Sequence, residues 1–310
     1  MEYKMVDRLT SPKVIRELLT GRNLAPRKSL GQNFLIDANI REKIIAAASI
    51  NKHDLVVEIG PGLGALTGSL FTRAGKVIAI EYDKGLYAVL QEIFGNQNNI
   101  LLLNQDFLET DLLRLLEVYR EEEYHYKVIA NLPYYITTPV IFKLIQSGIN
   151  WESMVFMVQK EVADRICAGP GNKDYGALTV MLSFYGKPAK VSNVPKTVFY
   201  PTPKVDSVVI KISAYHFSPD EDTRNSEIFP YLQRVVQAAF GQRRKTILNA
   251  LDPLGGYFGS KPERVALLHK LGIDPIQRGE TLSLQHFLAI AKEMRSRARV
   301  LDFKPEPVVN

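Results

Sequence analysis

Short apolar segments alternate with helical stretches from Asp54 onward, and this alternation constrains the fold more than any other feature of the sequence. The apolar segments are LVVEIG (55–60), KVIAIE (76–81), ILLLNQD (100–106), KVIANL (127–132) and SMVFMVQ (153–159). Strands that are apolar on both faces and are joined through helices form parallel sheets that helices cover on each side. The sequence therefore predicts an α/β protein with a doubly wound, Rossmann-like sheet.

Polar and turn-forming residues at 214–226 mark a predicted domain boundary. Beyond them, apolar residues recur at helical spacing, as in YLQRVVQAAF, so residues 215–310 are predicted to form a small all-helical domain. Residues 53–214 hold the alternating segments and form the predicted α/β domain. Residues 1–52 form a basic segment in front of it.

Positive charge is concentrated at the two ends of the chain, although the whole sequence carries only +6. Residues 1–52 contain 10 basic and 5 acidic residues, residues 53–230 contain 16 and 21, and residues 231–310 contain 13 and 7. Basic ends around an acidic middle are typical of a protein that holds a polyanion from two sides. Composition alone leaves solvated helix faces as an equally good explanation.

The sequence lacks the patterns that indicate a disulfide framework, a cysteine-cluster metal site or a membrane span. Cys167 is the only cysteine, which excludes an intramolecular disulfide and a cysteine-cluster zinc site. The five histidines are scattered along the chain, and we expect no metal. No apolar run approaches the roughly 20 residues of a membrane span, and the N-terminus lacks the apolar core of a signal peptide. We expect a cytoplasmic protein that does not contact a membrane.

The segment VVEIGPGLG places three glycines directly after the first predicted strand. Gly60, Gly62 and Gly64 allow the backbone to turn sharply and to approach a ligand closely. The spacing nearly matches the G-x-G-x-x-G fingerprint of dinucleotide-binding folds, with Ala65 at the third glycine position. A tight turn that binds no ligand is the alternative.

Carboxylates stand at the ends of the next two predicted strands. Glu81 ends the second strand, where a carboxylate can accept hydrogen bonds from both hydroxyls of a ribose. Asp106 ends the third strand, where a carboxylate can accept from the exocyclic amine of an adenine. Ligands bind outside the carboxyl ends of strands in such sheets. Gly60, Glu81 and Asp106 are therefore predicted to converge on an adenosine-containing cofactor, although each acid taken singly could be a solvated strand end.

The fourth predicted strand ends in Asn131-Leu132-Pro133-Tyr134. An asparagine amide, a proline that removes a backbone donor, and an aromatic ring together offer hydrogen-bond acceptors beside a stacking surface. In isolation, these four residues would indicate a turn with a core tyrosine. After a glycine loop and two strand-end acids, they favour a binding platform.

With this motif, the chain resembles the rRNA adenine dimethyltransferases, which use S-adenosylmethionine, and within them the bacterial small-subunit branch. Seven features match the family pattern in the family order: SLGQNFL (29–35), EIGPGLG (58–64), the acid at Glu81, QDFL (105–108), NLPYYITTP (131–139), VFYPTPKVDS (198–207) and FGQRRKTILNAL (240–251). The resemblance covers nearly the whole chain. It implies a Rossmann-like methyltransferase sheet, a part of the cofactor site in residues 1–52, and a C-terminal helical domain that binds rRNA.

The resemblance also implies a role for each matching position. The cofactor-binding residues would be Asn33, Leu35, Gly60, Glu81, Asp106 and Asn131. The catalytic residues would be Asn131, Leu132, Pro133, Tyr134 and Phe199. Phe199 and Tyr134 would stack on opposite sides of an extruded adenine. Tyr135 stands where some relatives have asparagine.

The chemistry of the target nitrogen explains why these residue types suffice. The adenine amine is a weak nucleophile because its lone pair is delocalised into the ring, whereas a methyl sulfonium is a strong electrophile. The Asn131 amide oxygen and the Leu132 carbonyl oxygen can accept the two amine hydrogens and turn the lone pair toward the methyl group. No general base is needed, because the amine becomes acidic once it is methylated, and no histidine is assigned to catalysis.

We expect a monomer that methylates adenines twice, at two adjacent positions, in small-subunit rRNA or an immature small subunit. Arg243, Arg244 and Lys245, at the start of a predicted helix, would bind the RNA. The nearest alternative is a large-subunit methyltransferase of the macrolide-resistance type, against which Leu132 and the FGQRRK tail argue. A nicotinamide dehydrogenase would leave the NLPY motif unused. A catalytically silent RNA-binding factor would not need that motif intact.

Overall fold

The computed structural model describes residues 8–133, 135–215 and 227–300 of the 310-residue chain, except for the side chains of residues 121, 299 and 300. Contacts within the chain separate two compact units. The N-terminal unit comprises Met1–Ala163 and Pro188–Ala214, and the C-terminal unit comprises Asp164–Lys187 and Tyr215–Asn310. This division groups residues 164–187 with the C-terminal unit, whereas the sequence analysis placed them in the α/β domain of residues 53–214.

The strands of the chain form two sheets. In chain order they are β1 (Phe34–Leu35), β2 (Asp54–Ile59), β3 (Lys76–Glu81), β4 (Ile100–Asn104), β5 (His125–Asn131), β6 (Trp151–Gln159), β7 (Gly186–Val194), β8 (Phe199–Tyr200) and β9 (Ser207–Ala214). β1 and β8 pair antiparallel with each other. The other seven form one sheet in the order β4-β3-β2-β5-β6-β9-β7.

The large sheet is doubly wound, as predicted. The chain moves outward from β2 through β3 to β4, crosses back, and moves outward again from β5 to β6, with these five strands parallel. Such a reversal leaves a crevice at the carboxyl ends of the two central strands, β2 and β5. All six residues of β2 are buried, so both faces of the sheet are covered. β9 runs antiparallel to β6, which makes the sheet mixed rather than purely parallel.

The helices of the N-terminal unit connect these strands. They are α1 (Pro12–Thr20), α2 (Ala38–Ala48), α3 (Thr67–Arg73), α4 (Lys84–Phe94), α5 (Leu112–Glu117) and α6 (Thr137–Gln146), and the boundary between the units falls within α7 (Lys160–Ile166). Asp37 and Asp83 cap α2 and α4, since each carboxylate accepts hydrogen bonds from two backbone N–H groups of the first turn. α2 packs on β6 and β9, and α4 packs on β3 and β4.

The C-terminal unit is helical, as predicted. Its helices are α8 (Ala177–Tyr185), α9 (Phe229–Gly241), α10 (Ile247–Ala250), α11 (Gly255–Phe258), α12 (Lys261–Lys270) and α13 (Leu284–Val300). α8 buries six of its nine residues and packs against α9 and α13. Residues 164–187 join this unit because α8 buries its apolar surface there.

The basic residues predicted to open a helix lie in a turn instead. α9 ends at Gly241 and α10 begins at Ile247 after its N-cap Thr246, which places Arg243, Arg244 and Lys245 between the two helices. All three residues are exposed. Across residues 8–133, 135–215 and 227–300, the structure contains no helix that is both long and apolar enough for a membrane span.

Candidate active site

A pocket of about 380 Å³ opens where the carboxyl ends of β2, β3 and β5 meet. Its lining comes entirely from the N-terminal unit. The predicted site residues found in this lining are Asn33, Leu35, Gly60, Glu81, Asp106, Asn131, Leu132, Pro133 and Phe199. Tyr134 lies outside the described residues, and the basic turn at 243–245 does not line the pocket. The structure therefore places the predicted cofactor residues and most of the predicted catalytic residues around one cavity.

The glycine loop after β2 turns into the pocket with a backbone that favours glycine. Gly60, Gly62 and Gly64 have φ values of +65°, +63° and +85°. A Cβ on Gly64 would lie 2.6 Å from the Phe94 ring, whereas a Cβ on Gly60 would have nothing within 4 Å. Gly64 is thus required for packing against α4. The open space at Gly60 leaves the backbone accessible to a ligand.

Glu81 ends β3 as a buried carboxyl at the wall of the pocket. The backbone N–H of Gly62 donates to its Oε2 at 3.0 Å, and the N–H of Asp83 donates to its Oε1 at 2.8 Å. Burial raises the pKa of Glu81 to about 7, although these two hydrogen bonds favour the ionised form. Near neutral pH, the group therefore exists as a mixture of carboxylate and carboxylic acid.

Glu58, the fifth residue of β2, is a second buried carboxyl in the same lining and was not assigned a role from the sequence. Thr67 Oγ1 donates to its Oε2 at 2.6 Å. Burial, with a smaller contribution from the neighbouring Glu81, raises the pKa of Glu58 to about 8. Glu58 is thus largely protonated at neutral pH, which leaves Glu81 as the carboxyl that can ionise beside the glycine loop.

Asp106 lies two residues beyond the end of β4, not within the strand as predicted. It is half-buried, and its Oδ1 accepts a hydrogen bond from the Leu108 N–H at 2.8 Å, which caps the 3-10 turn Phe107–Glu109. Asp106 is the N-cap residue of this turn, and its backbone is extended, as is usual at that position. Its place in the pocket lining suits it to accept from a ligand as well.

Asn131 and Leu132 are held by contacts to two different parts of the chain. Asn131 Nδ2 donates to the Asn33 carbonyl oxygen at 3.1 Å, and the Leu132 N–H donates to the Met157 carbonyl oxygen of β6 at 3.1 Å. With its nitrogen committed to Asn33, the Asn131 amide offers its Oδ1 as an acceptor. Neither contact was predicted from the sequence, since Asn33 is 98 residues away along the chain.

The N-terminal segment (residues 27–35) contacts Asp83, which follows β3 at the carboxyl end of the sheet. Arg27 Nη1 lies 3.0 Å from Asp83 Oδ2, and Gln32 Nε2 donates to the same oxygen at 3.3 Å. Further along, Leu35 of β1 pairs with Phe199 of β8. Leu35 and Phe199 are both buried and both line the pocket, so the predicted stacking residue is held by a strand of the N-terminal segment.

Two tyrosines at the pocket were not assigned from the sequence. Tyr82 and Tyr135 are 59% and 57% exposed, which is unusual for large aromatic residues, and both line the pocket. Burial raises the pKa of the Tyr135 hydroxyl, with a further contribution from the nearby Asp106 carboxylate. The position of Tyr82 directly after the strand-end acid was the signal that could have identified it.

Comparison with known proteins shows which family shares this arrangement. The family model described as ribosomal RNA adenine dimethylase matches residues 23–296. The chain belongs to this family. The match confirms the resemblance drawn from the seven motifs and shows that the dehydrogenase alternative is wrong. Members of the rRNA adenine dimethylase family are S-adenosylmethionine-dependent methyltransferases, and this chain is such an enzyme.

Individual relatives agree with the family match over nearly the whole chain. The ribosomal RNA small subunit methyltransferase A of Pelotomaculum thermopropionicum is 46% identical over 288 residues, which cover 91% of this chain and 96% of the relative. The protein of the same name from Moorella thermoacetica is 47% identical over 294 residues, covering 94% and 100%. A solved dimethyladenosine transferase from Plasmodium falciparum has a TM-score of 0.71 at 28% identity, over 85% of this chain and 98% of that one.

The fold is also similar to that of a solved methyltransferase that acts on large-subunit rRNA. The solved 23S rRNA methyltransferase ErmE has a TM-score of 0.63 at 24% identity, over 84% of this chain and 99% of that one. At this identity the likeness shows a common fold alone.

The residues around the pocket fit S-adenosylmethionine. The volume of about 380 Å³ lies in the range of small-molecule sites. Gly60 leaves backbone open to a ligand, and Glu81 and Asp106 supply carboxylate oxygens at the ends of neighbouring strands. Carboxylate oxygens can accept from the ribose hydroxyls and the adenine amine of the cofactor, and an open backbone leaves room for its methionine moiety.

Proposed function

We propose that this enzyme transfers two methyl groups to the exocyclic amine of each target adenine in small-subunit rRNA, at two adjacent adenines, during ribosome assembly. The names of the relatives at 46% and 47% identity support the choice of subunit, because the matches span at least 96% of those relatives. The observation that carries the chemistry is the contact between Asn131 Nδ2 and the Asn33 carbonyl oxygen. This contact orients the amide so that its oxygen is available to an amine.

Asn131 and Leu132 act on the target nitrogen. The Asn131 Oδ1 and the Leu132 carbonyl oxygen each accept one amine hydrogen, which turns the nitrogen lone pair out of conjugation with the ring. The Met157 carbonyl oxygen accepts from the Leu132 N–H, which holds the backbone directly before the second acceptor. Bound S-adenosylmethionine would supply the electrophilic methyl group, and the S–CH3 bond would break as the N–CH3 bond forms, which leaves S-adenosylhomocysteine. The proton that leaves the methylated nitrogen needs no strong base, since that nitrogen is acidic.

A second transfer follows from the same pair of acceptors. After one methylation, the nitrogen keeps one hydrogen and one lone pair. Either Asn131 or the Leu132 carbonyl oxygen can still orient it. We therefore assign N6,N6-dimethyladenosine as the principal product.

The extruded adenine is held by stacking and by a stiff backbone. We propose that Phe199 and Tyr134 stack on opposite faces of the base, as the sequence motifs imply, and the fixed φ of Pro133 restricts the backbone directly before Tyr134. A stacked base contributes about 1–3 kcal/mol per aromatic contact. The β1–β8 pairing fastens Phe199 to Leu35, so the base site and the cofactor site share one support.

The cofactor is held by residues from four parts of the N-terminal unit. Glu81 accepts from the ribose hydroxyls, Asp106 accepts from the adenine amine, and Gly60 passes beside the methionine moiety. Asn33 and Leu35 contact the cofactor from the N-terminal segment, which the bonds of Arg27 and Gln32 to Asp83 hold in place.

RNA phosphates are bound by the basic turn of the C-terminal unit. Arg244 and Lys245 are exposed there, and they supply charge that residues 53–230, with 16 basic and 21 acidic residues, lack. Arg243 is partly committed, because its Nη2 donates to the Tyr175 carbonyl oxygen at 2.8 Å. One chain provides the whole pocket, so we assign the activity to a monomer in the cytoplasm, where its substrate is assembled.

Transfer of labelled methyl groups tests the proposal. Immature small subunits and large-subunit RNA are incubated separately with the enzyme, and the products are digested to nucleosides. We expect dimethyladenosine in the small-subunit sample alone. Label in large-subunit RNA with none in small subunits would establish the large-subunit alternative. Monomethyladenosine as the only product after long reaction would refute the second transfer.

A further inference from the structure

The amino end of the sheet carries a polar cluster that the methyl-transfer site does not use. Asp54 begins β2, His125 begins β5, and Glu152 is the second residue of β6. Asp54 and His125 are register partners, and Glu152 is the extra residue where the pairing of β5 with β6 shifts. Because the three strands are parallel, this cluster and the pocket lie at opposite ends of the sheet. At about 3.3 Å per residue, Asp54 is roughly 20 Å from Gly60.

Lys127 orients both carboxylates of the cluster. Its Nζ lies 3.0 Å from Asp54 Oδ2 and 3.1 Å from Glu152 Oε1, and its side chain is 3% exposed. Each carboxylate therefore has one oxygen on the ammonium and presents the other elsewhere. Asp54 Oδ2 is further held by the Asn51 N–H at 2.7 Å.

The remaining oxygens converge on the His125 ring. His125 Nδ1 lies 3.1 Å from Glu152 Oε2 and 3.9 Å from Asp54 Oδ1. Asp54 is fully buried, yet its Oδ1 has no hydrogen-bond partner among the described residues. A proton on Nδ1 would satisfy Glu152 but not Asp54, since 3.9 Å is too long for a hydrogen bond. Leaving a buried carboxylate oxygen unpaired is unfavourable.

We propose that Asp54 Oδ1, His125 Nδ1 and Glu152 Oε2 bind a divalent zinc ion. One ligand atom from each of the three residues lies within 4.8 Å of the other two. Side-chain rotations that shorten these separations would bring each ligand to the 2.0–2.2 Å of zinc–nitrogen and zinc–oxygen bonds. The ion would supply the partner that Asp54 Oδ1 lacks. Two carboxylates and one ammonium leave the cluster at −1, which favours a cation. The side chain of His125 is 58% exposed, so water can reach a fourth position.

The ligand types select among divalent ions. An imidazole nitrogen suits zinc and related transition ions, whereas magnesium prefers oxygen ligands throughout. The ion would join the first residues of β2 and β5 to the bulge of β6, and it would stabilise the sheet rather than take part in methyl transfer. The sequence-based expectation of no metal rested on the single cysteine and the scattered histidines. Asp54, His125 and Glu152 are far apart in the sequence and meet only in the folded sheet.

Calorimetric titration of the chelator-treated full chain with zinc chloride tests the proposal. We expect one site per chain, at least tenfold weaker binding in His125→Ala and in Glu152→Gln, and wild-type affinity in His269→Ala, which removes another exposed histidine, in α12. Zinc should raise the melting temperature of the wild type and of His269→Ala, and magnesium should not. S-adenosylmethionine affinity should be equal in all four proteins, which separates this result from the proposed methyl-transfer site.

Two results would overturn the zinc site. One is the lack of saturable zinc binding by the wild-type chain. The other is zinc affinity in His125→Ala equal to that of the wild type, which would place any bound ion on other groups such as His53 or Cys167. Cobalt provides a second readout, because a cobalt ion on one nitrogen and two oxygens gives visible absorption bands that His125→Ala should lose.

Discussion

Lowering the pH from 8 to 6 should weaken S-adenosylmethionine binding about tenfold through Glu81. Burial raises the pKa of this carboxyl to about 7 in the unliganded protein. Only the ionised form can accept from both ribose hydroxyls while it also accepts from Gly62 and Asp83. With a pKa of about 7, the ionised fraction falls from about nine tenths at pH 8 to about one tenth at pH 6. The apparent dissociation constant rises in inverse proportion to that fraction.

The assay is calorimetric titration with the cofactor at pH 6, 7 and 8, on the wild type and on Glu81→Gln. The glutamine keeps the shape of the side chain and cannot ionise, so its binding should be weaker at pH 8 and should lack this pH dependence. Ionisation of the cofactor itself affects both proteins equally and cancels in the ratio of their dissociation constants. A ratio that stays constant from pH 6 to 8 would refute the assignment of Glu81 as the titrating ribose acceptor.

Three further predictions test the catalytic amide, the second buried carboxyl and the basic turn. Asn131→Ala should lower turnover at saturating cofactor about 100-fold, while cofactor affinity falls no more than about fivefold through the lost contact with the N-terminal segment. Unchanged turnover would contradict its role. Glu58→Gln should flatten the pH dependence of stability. Burial raises the Glu58 pKa from 4.5 to about 8, so the folded protein keeps a proton that the unfolded chain releases. The free energy of unfolding should therefore fall as the pH rises through this window, by up to about 1.4 kcal/mol per unit. Urea titrations at pH 5, 6 and 7 measure this, and parallel pH curves for both proteins would count against it. Replacing Arg244 and Lys245 by glutamine should lower the salt slope of RNA binding by somewhat under one unit per lost phosphate contact. Cofactor affinity is the control, and an unchanged slope would assign the phosphate contacts to other cations.

The sequence determined the central sheet and the edge at which the pocket lies. Apolar runs of six or seven residues separated by helices predict parallel strands, and the glycine or acid at the end of a run marks its carboxyl end. These are local signals, because strand periodicity, glycine conformation and helix capping depend on residues close together in the chain. For the same reason, Gly60, Glu81 and Asn131 could be identified as candidates before any tertiary contact was known.

Only the tertiary structure decided which distant groups meet and which charges they carry. The Asn131–Asn33 contact and the Arg27–Asp83 ion pair join segments far apart in the chain. Residues 164–187 belong to the C-terminal unit because α8 packs against α9 and α13. The spacing of apolar residues in α8 predicts a buried face, but it does not predict which helices cover that face. The raised pKa of Glu58 comes from complete burial, and the unpaired Asp54 Oδ1 comes from the geometry of three neighbouring strands. Burial and proximity depend on the whole fold, so no local pattern in the sequence could have predicted them.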